Sequence, residues 1–91
     1  KMTGLQAKVA ENGDLHVIVF IRNGSKKDIK LEKLPLRVTD AAGDVVAEGS
    51  FAIENLMVKA NTTKPWTFIF PASLVKKENM DLSRWTVSII Q

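Results

Sequence analysis

Residues 14–23 read DLHVIVFIRN and decide the fold of this chain. The run from Val17 to Ile21 is entirely β-branched or aromatic, which suits a pleated strand and disfavours a helix. Alternation places Leu15, Val17, Val19 and Ile21 on one face and His16, Ile18, Phe20 and Arg22 on the other. Because the second face also carries apolar side chains, the pattern predicts a central strand that is covered on both sides or by a partner.

A first strand is predicted just before this run, over about residues 5–10, where apolar and polar residues alternate. Asn12 and Gly13 separate the two runs. Asn-Gly between alternating runs predicts a hairpin with a type I′ turn, in which both central residues have positive φ. The first two strands should therefore be antiparallel neighbours.

A third strand is predicted over residues 29–39. Its inward face would carry Leu34, Leu36 and Val38, and its outward face Lys33, Pro35, Arg37 and Thr39. Since Pro35 has no N–H to donate, the strand should be an edge strand or contain a bulge there. The loop at residues 40–44 follows, and Gly43 occupies the position that needs left-handed geometry.

The rest of the chain predicts three more strands, over about residues 45–53, 65–70 and 85–90. Gly49 indicates a bulge or a close approach within the first of them. Residues 56–63 should be a connection with Leu56 and Val58 tucked inward, and residues 73–79 one or two helical turns at most. Six to seven short strands with frequent turn signals predict an all-β, Ig-like antiparallel sandwich with at most one short helix.

The composition fits one globular domain over residues 1–91. Thirteen Lys and Arg against ten Asp and Glu give a net charge of +3, which is mildly basic and not a nucleic-acid-binding composition. The absence of cysteine excludes disulfides, thiolate nucleophiles and cysteine-ligated zinc. No apolar run is long enough to span a membrane. The chain opens on Lys1-Met2, so we expect a piece of a longer protein.

Catalytic and ligand-binding patterns are missing from the sequence. His16 is the one imidazole, and its place inside a strand favours a surface or half-buried histidine over a catalytic one. Asp40 and Asp44 lack the spacing of a calcium loop and are interpreted as turn residues. No phosphate-binding glycine motif is present. We therefore expect no enzyme activity, cofactor, metal or small-molecule substrate.

Aromatic residues at strand spacing are more often core than a ligand platform, and we expect this of Trp66, Phe68, Phe70 and Trp85. Ile18 and Phe20 differ, because they point away from the predicted interior. Either a loop or the turn at residues 73–79 covers them, or they form an exposed patch for a partner.

A second candidate contact is a basic set, which consists of Arg22, Lys26, Lys27, Lys30 and Lys33. Lysines commonly protect an edge strand against pairing, and this is the plainer interpretation. The alternative is a surface for an anionic protein or an anionic membrane. Nucleic acid is not expected, since no aromatic residues interleave the lysines.

Five segments together resemble the SLAP domain of the S-layer assembly proteins of the bacterial accessory Sec system. They are residues 19–23 (VFIRN), 34–36 (LPL), 40–47 (DAAGDVVA), 61–71 (NTTKPWTFIFP) and 81–85 (DLSRW). The resemblance covers nearly the whole chain. Its most specific part is the KPWTFIFP run followed by Trp85.

The resemblance implies a non-enzymatic accessory factor that helps the alternative Sec ATPase export surface-layer proteins in Gram-positive bacteria. It implies protein partners, namely the secretion ATPase or a surface-layer client, and a cytoplasmic location close to the membrane. Such domains often occur in tandem, so this chain would be one copy. The alternative is an Ig-like adhesion or ligand-binding module on the cell surface, which a signal peptide or lipobox upstream would favour.

Overall fold

The computed structural model describes residues 2–90, without the side chains of residues 54 and 55. The strands are β1 Met2–Val9, β2 Leu15–Asn23, β3 Ile29–Thr39, β4 Val45–Val58, β5 Thr62–Phe70 and β6 Thr86–Ile89. A 3-10 turn, Ala72–Leu74, lies between β5 and β6. The first sheet has the order β1-β2-β5 and the second sheet β4-β3-β6, and all pairs are antiparallel. The predicted all-β antiparallel sandwich is confirmed.

β2 is the middle strand of the first sheet, as its sequence predicts. It pairs with β1 on one side and with β5 on the other over nearly its whole length. Its inward residues are fully buried or nearly so, namely Leu15, Val17, Val19 and Ile21. The outward residues alternate with them and are partly or largely exposed.

The two sheets bury one apolar core between them. The second sheet contributes Leu34, Leu36, Val38, Val46, Ala47, Leu56 and Val58. From β5, Phe68 and Phe70 are buried, and the Phe51 ring meets the Phe70 ring edge-on with centroids 4.9 Å apart. Trp66 and Trp85 are half-buried and pack against this core. Of the four aromatic residues predicted to be core, only Phe68 and Phe70 are therefore buried.

The first two strands form the predicted hairpin, but the predicted type I′ turn is wrong. The N–H of Gly13 donates to the Ala10 carbonyl at 2.9 Å, and the N–H of Ala10 donates to the Asp14 carbonyl at 2.8 Å. Gly13 has a φ of +91°, whereas Asn12 does not have a positive φ. Residues 11–13 therefore form a three-residue loop that needs left-handed geometry only at its last position.

The β3–β4 loop repeats this arrangement. Gly43 has a φ of +87°, so its predicted left-handed geometry is confirmed. Its N–H donates to the Asp40 carbonyl at 3.0 Å, and the N–H of Asp40 donates to the Asp44 carbonyl at 2.9 Å. Both hairpins thus place a glycine where another residue would be strained.

β3 is the middle strand of the second sheet, so the prediction of an edge strand or bulge at Pro35 is wrong. The register shifts lie on either side of it, within residues 31–33 and 38–39. Pro35 is tolerated because β6 pairs only with residues 36–39. The Pro35 carbonyl accepts the N–H of Ile90 at 2.8 Å, and the missing N–H of Pro35 falls at the end of this ladder.

β4 and β5 are longer than predicted, and the predicted connection over residues 56–63 shrinks to residues 59–61. The inward burial of Leu56 and Val58 is confirmed. They belong to β4 because they pair with the start of β3, a contact that local alternation does not reveal. Gly49 provides the predicted close approach, since a Cβ there would lie 2.9 Å from Cδ1 of Leu74.

Of the one or two helical turns at most that the sequence predicts for residues 73–79, the structure has one short 3-10 turn, Ala72–Leu74. Val75 instead forms a β-bridge with Ala47, and the N–H of Lys76 donates to the Val46 carbonyl at 2.7 Å. The backbone therefore gains its hydrogen bonds from β4 rather than from a helix. No helix in the described part of the chain is long and apolar enough to cross a membrane.

Candidate partner-binding surfaces

The outward residues of β2 lie in the middle of a sheet surface flanked by β1 and β5. Phe20 lies between Thr3 and Pro65, Ile18 between Gln6 and Thr67, and His16 between Lys8 and Ile69. Phe20 is 37% exposed, and Ile18 and His16 are half-buried. His16 is therefore the half-buried strand histidine that the sequence predicts.

The 3-10 turn does not cover Ile18 and Phe20. Its Ala72 N–H donates to Oδ1 of Asp14 at 2.8 Å, and its Leu74 side chain lies against Gly49 in the second sheet. Cover by this turn, which was one of the possibilities for Ile18 and Phe20, is therefore excluded. Phe20 remains accessible to a partner.

Further apolar side chains join this pair in a surface that we term the outer apolar face. It consists of Leu5, Ile18, Phe20, Pro65 and Ile69. Leu5 is 56% exposed and Ile69 is 46% exposed. Alternation in the sequence does not place Leu5 on this face, because a register shift between Gly4 and Gln6 alters the alternation of β1 there. Ile69 could have been predicted, because it alternates with Phe68 and Phe70.

The basic set shares one end of the sandwich but does not form one patch. Arg22 lies on the outer side of the first sheet, where its Nη1 donates to the Asn61 carbonyl at 3.1 Å. Lys26 and Lys27 are exposed in the β2–β3 loop. Lys30 and Lys33 are exposed on the outer side of the second sheet. The structure therefore places Arg22 and the pair Lys30 and Lys33 on the outer sides of different sheets, with Lys26 and Lys27 in the loop between them.

Acidic residues partly offset this charge. Glu32 lies 3.6 Å from the Lys30 ammonium in an exposed ion pair. The Asp28 carboxylate forms a hydrogen bond with the backbone, since its Oδ1 accepts the N–H of Ala60 at 2.8 Å. Since exposed pairs are screened by water, Lys30 stays available to an anionic partner.

A buried amide organises the loop that carries Lys26 and Lys27. Asn23 is 2% exposed, and its Nδ2 donates to the carbonyls of Lys27 at 2.7 Å and Val58 at 2.9 Å. Its Oδ1 accepts the N–H and the hydroxyl of Ser25. This role of Asn23 was not predicted, although Asn followed by Gly-Ser is a signal for a side-chain-capped turn.

A second polar cluster joins the β3–β4 loop to the segment before β6. The Lys77 ammonium lies 2.8 Å from Oδ2 of Asp40 and 2.9 Å from Oδ2 of Asp44. Asp40 is 5% exposed, and its Oδ1 also accepts the N–H groups of Ala42 and Asp44. The interpretation of both aspartates as turn residues is correct, but it missed Lys77, which is distant in sequence.

The hydrogen bonds of this cluster favour the charged forms of Asp40 and Lys77. The hydrogen bond from Lys77 lowers the pKa of Asp40 below its ordinary value of 3.8, and backbone N–H groups add to the effect. The hydrogen bond to Asp40 raises the pKa of Lys77 above its ordinary value of 10.5. Within the described residues, no group of three or more His, Cys, Asp or Glu side chains is arranged to hold a metal ion.

We expect Asp40→Asn to destabilise the domain at neutral pH, because the amide keeps the Oδ1 acceptor but loses the charge that pairs with Lys77. The pKa of Asp40 is lowered by folding, so its contribution is present above pH 3.8 and is lost as the pH falls through the folded value. Wild type and variant should therefore converge in acid. Urea unfolding across pH measures this.

The matched control is Asp44→Asn, because the Asp44 side chain also contacts Lys77 but is 62% exposed. Its effect at neutral pH should be smaller than that of Asp40→Asn. A stability difference for Asp40→Asn that persists unchanged below pH 3 would contradict the assignment of the effect to this ion pair.

Comparison with protein-family models finds a match for this chain. The family model described as the SLAP domain matches residues 1–91, which is the whole chain. No curated protein and no solved structure matched in the same comparisons. The family and the all-β fold point to a non-catalytic domain. The chain belongs to the SLAP domain family, whose members are associated with the surface layer and the accessory Sec system.

Proposed function

We propose that this domain is a protein-binding module that supports export of surface-layer proteins through the accessory Sec pathway. The observation that carries the proposal is the family match over residues 1–91. The partner would be the secretion ATPase or a surface-layer client, met on the cytoplasmic side near the membrane. The domain would be one of several copies in a longer protein.

The outer apolar face supports binding as the mode of action. Phe20 is 37% exposed and stands beside other accessible apolar side chains. Burying the rest of its ring would contribute roughly 2 kcal/mol before the costs of association. Phe20 alone therefore does not make a tight complex, and the proposal requires the exposed side chains of Leu5 and Ile69 on the same outer face to contribute as well.

The four lysines, Lys26, Lys27, Lys30 and Lys33, offer a second contact of different chemistry, for acidic protein or anionic lipid. The two surfaces differ in their response to salt. Binding through the outer apolar face should persist at 1 M salt, whereas binding through the lysines should fade as the Debye length falls to about 3 Å.

The test compares Phe20→Ser with the double variant Lys26→Glu, Lys27→Glu in the full-length protein. We expect Phe20→Ser to reduce export of the surface-layer protein severalfold in cells, because it removes the aromatic side chain of the outer apolar face. Met57→Ser is the matched control, since Met57 is 46% exposed but lies on the second sheet. Immunoblots of the secreted fraction measure export, and thermal unfolding checks that each variant folds.

Normal export by both folded variants would show that neither surface is the contact. Normal export after deletion of the whole domain would contradict the proposed function itself. If only the lysine variant reduced export, the contact would lie at Lys26 and Lys27 and not at the outer apolar face.

A further inference from the structure

Charge is distributed unevenly between the two ends of the sandwich. The β2–β3 loop, residues 24–28, and the β4–β5 loop, residues 59–61, lie at one end, because the chain reverses direction between successive strands. The hairpin loops at residues 10–14 and 40–44 lie at the other end. The first end carries four exposed lysines, which we term the lysine end, namely Lys26, Lys27, Lys30 and Lys59.

The opposite end is acidic. The segment before β6 belongs to this end, since the N–H of Ala41 donates to the Asp81 carbonyl at 3.0 Å and Lys77 forms an ion pair with Asp40. Its carboxylates are those of Glu11, Asp14, Asp40, Asp44, Glu78 and Asp81, and they outnumber its cations, Lys8, Lys76, Lys77 and Arg84. The described part of the domain is therefore polarised along its strands, positive at one end and negative at the other.

Hydrogen bonds hold the two loops of the lysine end in place. Oδ1 of Asp28 in the β2–β3 loop accepts the N–H of Ala60 in the β4–β5 loop at 2.8 Å. Nδ2 of Asn23, at the end of β2, donates to the Val58 carbonyl at 2.9 Å. These two contacts lie on either side of Lys59 in the sequence. The backbones of both loops are therefore fixed relative to each other at this end.

Two described carboxylates, Asp28 and Glu32, oppose the four lysines. Glu32 pairs with Lys30 at 3.6 Å, but both side chains are exposed and water screens the pair. Among the described residues, the other three lysines of the lysine end form no ion pair. The lysine end therefore presents a net positive charge to an anionic partner.

The residue types at the lysine end favour a membrane over a protein as the partner. Protein interfaces are enriched in aromatic residues and arginine and depleted in lysine. Residues 24–33 and 56–63 contain no aromatic residue and no arginine. Lysine is a point charge without the fork geometry of arginine, and clusters of lysine are attracted to anionic lipid headgroups. The lysines are also spread over two loops and a strand, which suits a broad planar surface.

We propose that the lysine end binds the headgroups of an anionic lipid bilayer, and that the charge polarity of the domain orients it there. The lysine end faces the bilayer, and the acidic end, which the same headgroups repel, faces away. The outer apolar face then stands at the side of the domain, where a protein partner can reach it. This assigns a partner to lysines that the proposed function uses, and a vesicle assay tests it separately from export.

The test measures co-sedimentation of the domain with lipid vesicles at low salt. Vesicles of equal parts phosphatidylglycerol and phosphatidylcholine should bind the domain, whereas vesicles of phosphatidylcholine alone should not. Binding should be lost at 1 M salt, where the Debye length is about 3 Å. The absence of binding to the anionic vesicles, or equal binding to both kinds of vesicle, would overturn the proposal.

Two double variants separate the position of the charges from their number. Lys26→Gln, Lys27→Gln and Lys8→Gln, Lys76→Gln lower the net charge equally, and all four lysines are exposed. The first variant should bind the anionic vesicles about tenfold more weakly, because two headgroup contacts are lost, and the second less than about twofold more weakly. Equal weakening of two variants that both fold, as checked by thermal unfolding, would contradict a contact at the lysine end.

NMR with vesicles that carry a paramagnetic headgroup tests the orientation. The amide signals of residues 24–28 and 59–61 should broaden, and those of residues 40–44 should not. Broadening centred on residues 40–44, or on Ile18 and Phe20, would overturn the proposed orientation. A capped polyglutamate peptide tests the other class of partner. If it bound the domain as tightly as the anionic vesicles at equal negative charge, the lysine end would be assigned to an acidic protein and the proposal would be overturned.

Discussion

Replacing Phe70 with alanine should lower the free energy of unfolding by about 3 to 5 kcal/mol. The Phe70 side chain is fully buried, and its ring meets Phe51 edge-on at 4.9 Å. The variant loses both the transfer free energy of the ring and the contacts around the cavity that remains. A domain of this size has roughly 5 to 10 kcal/mol of stability, so the variant should be close to unfolding.

The control is the neighbouring residue of the same strand. Ile69 is 46% exposed on the opposite face of β5, so Ile69→Ala should cost less than about 1 kcal/mol. Urea denaturation followed by tryptophan fluorescence measures both variants. Similar costs at the two positions would contradict the assignment of inner and outer faces to the first sheet.

Asn23→Asp should cost about 3 kcal/mol or more at neutral pH, although it changes only one group of the side chain. The substitution replaces the Nδ2 donor with a carboxylate oxygen, which would face the carbonyls of Lys27 and Val58 at hydrogen-bond distance. Two acceptors would lose their donor, and a charge would be buried beside them.

The cost should shrink in acid, because burial beside carbonyls raises the pKa of a carboxyl group and protonation restores one donor. Asn79→Asp serves as the control, since Asn79 is exposed and should change stability by less than about 0.5 kcal/mol. Thermal unfolding from pH 4 to pH 8 measures both. A cost at position 23 that does not exceed that at position 79 would contradict the role of Asn23.

Some parts of this fold follow from the local sequence. The alternation around Val17 and Val19 sets the inward face of β2, because one buried face allows one register. Gly13 and Gly43 mark the two hairpins, since a left-handed position excludes most other residues. These features depend on neighbouring residues, so the local sequence predicts them.

Other parts depend on residues that are far apart in sequence. The extension of β4 to Val58 depends on pairing with the start of β3. The ion pair of Asp40 with Lys77 links positions that no local pattern connects. The exposed position of Leu5 follows from a register shift in β1. Each results from tertiary pairing, which a single sequence does not report.

The candidate surfaces were predicted in part. Ile18 and Phe20 lie on the outer side of the first sheet, as the alternation predicts, and Phe20 is accessible. Alternation alone could not show that Arg22 is separated from Lys30 and Lys33, because their separation depends on β2 and β3 belonging to different sheets. The role of Ile18, Phe20 and the basic set in binding remains a prediction.

Site-specific photo-crosslinking in cells tests most directly whether the outer apolar face binds an export partner. A photoreactive amino acid is placed at Phe20 and, as a control, at Met57, which is also exposed but lies on the second sheet. We predict that position 20 crosslinks to the secretion ATPase or the surface-layer protein, identified by mass spectrometry, and that position 57 does not. The absence of both proteins at position 20, or equal crosslinking at the two positions, would contradict the account.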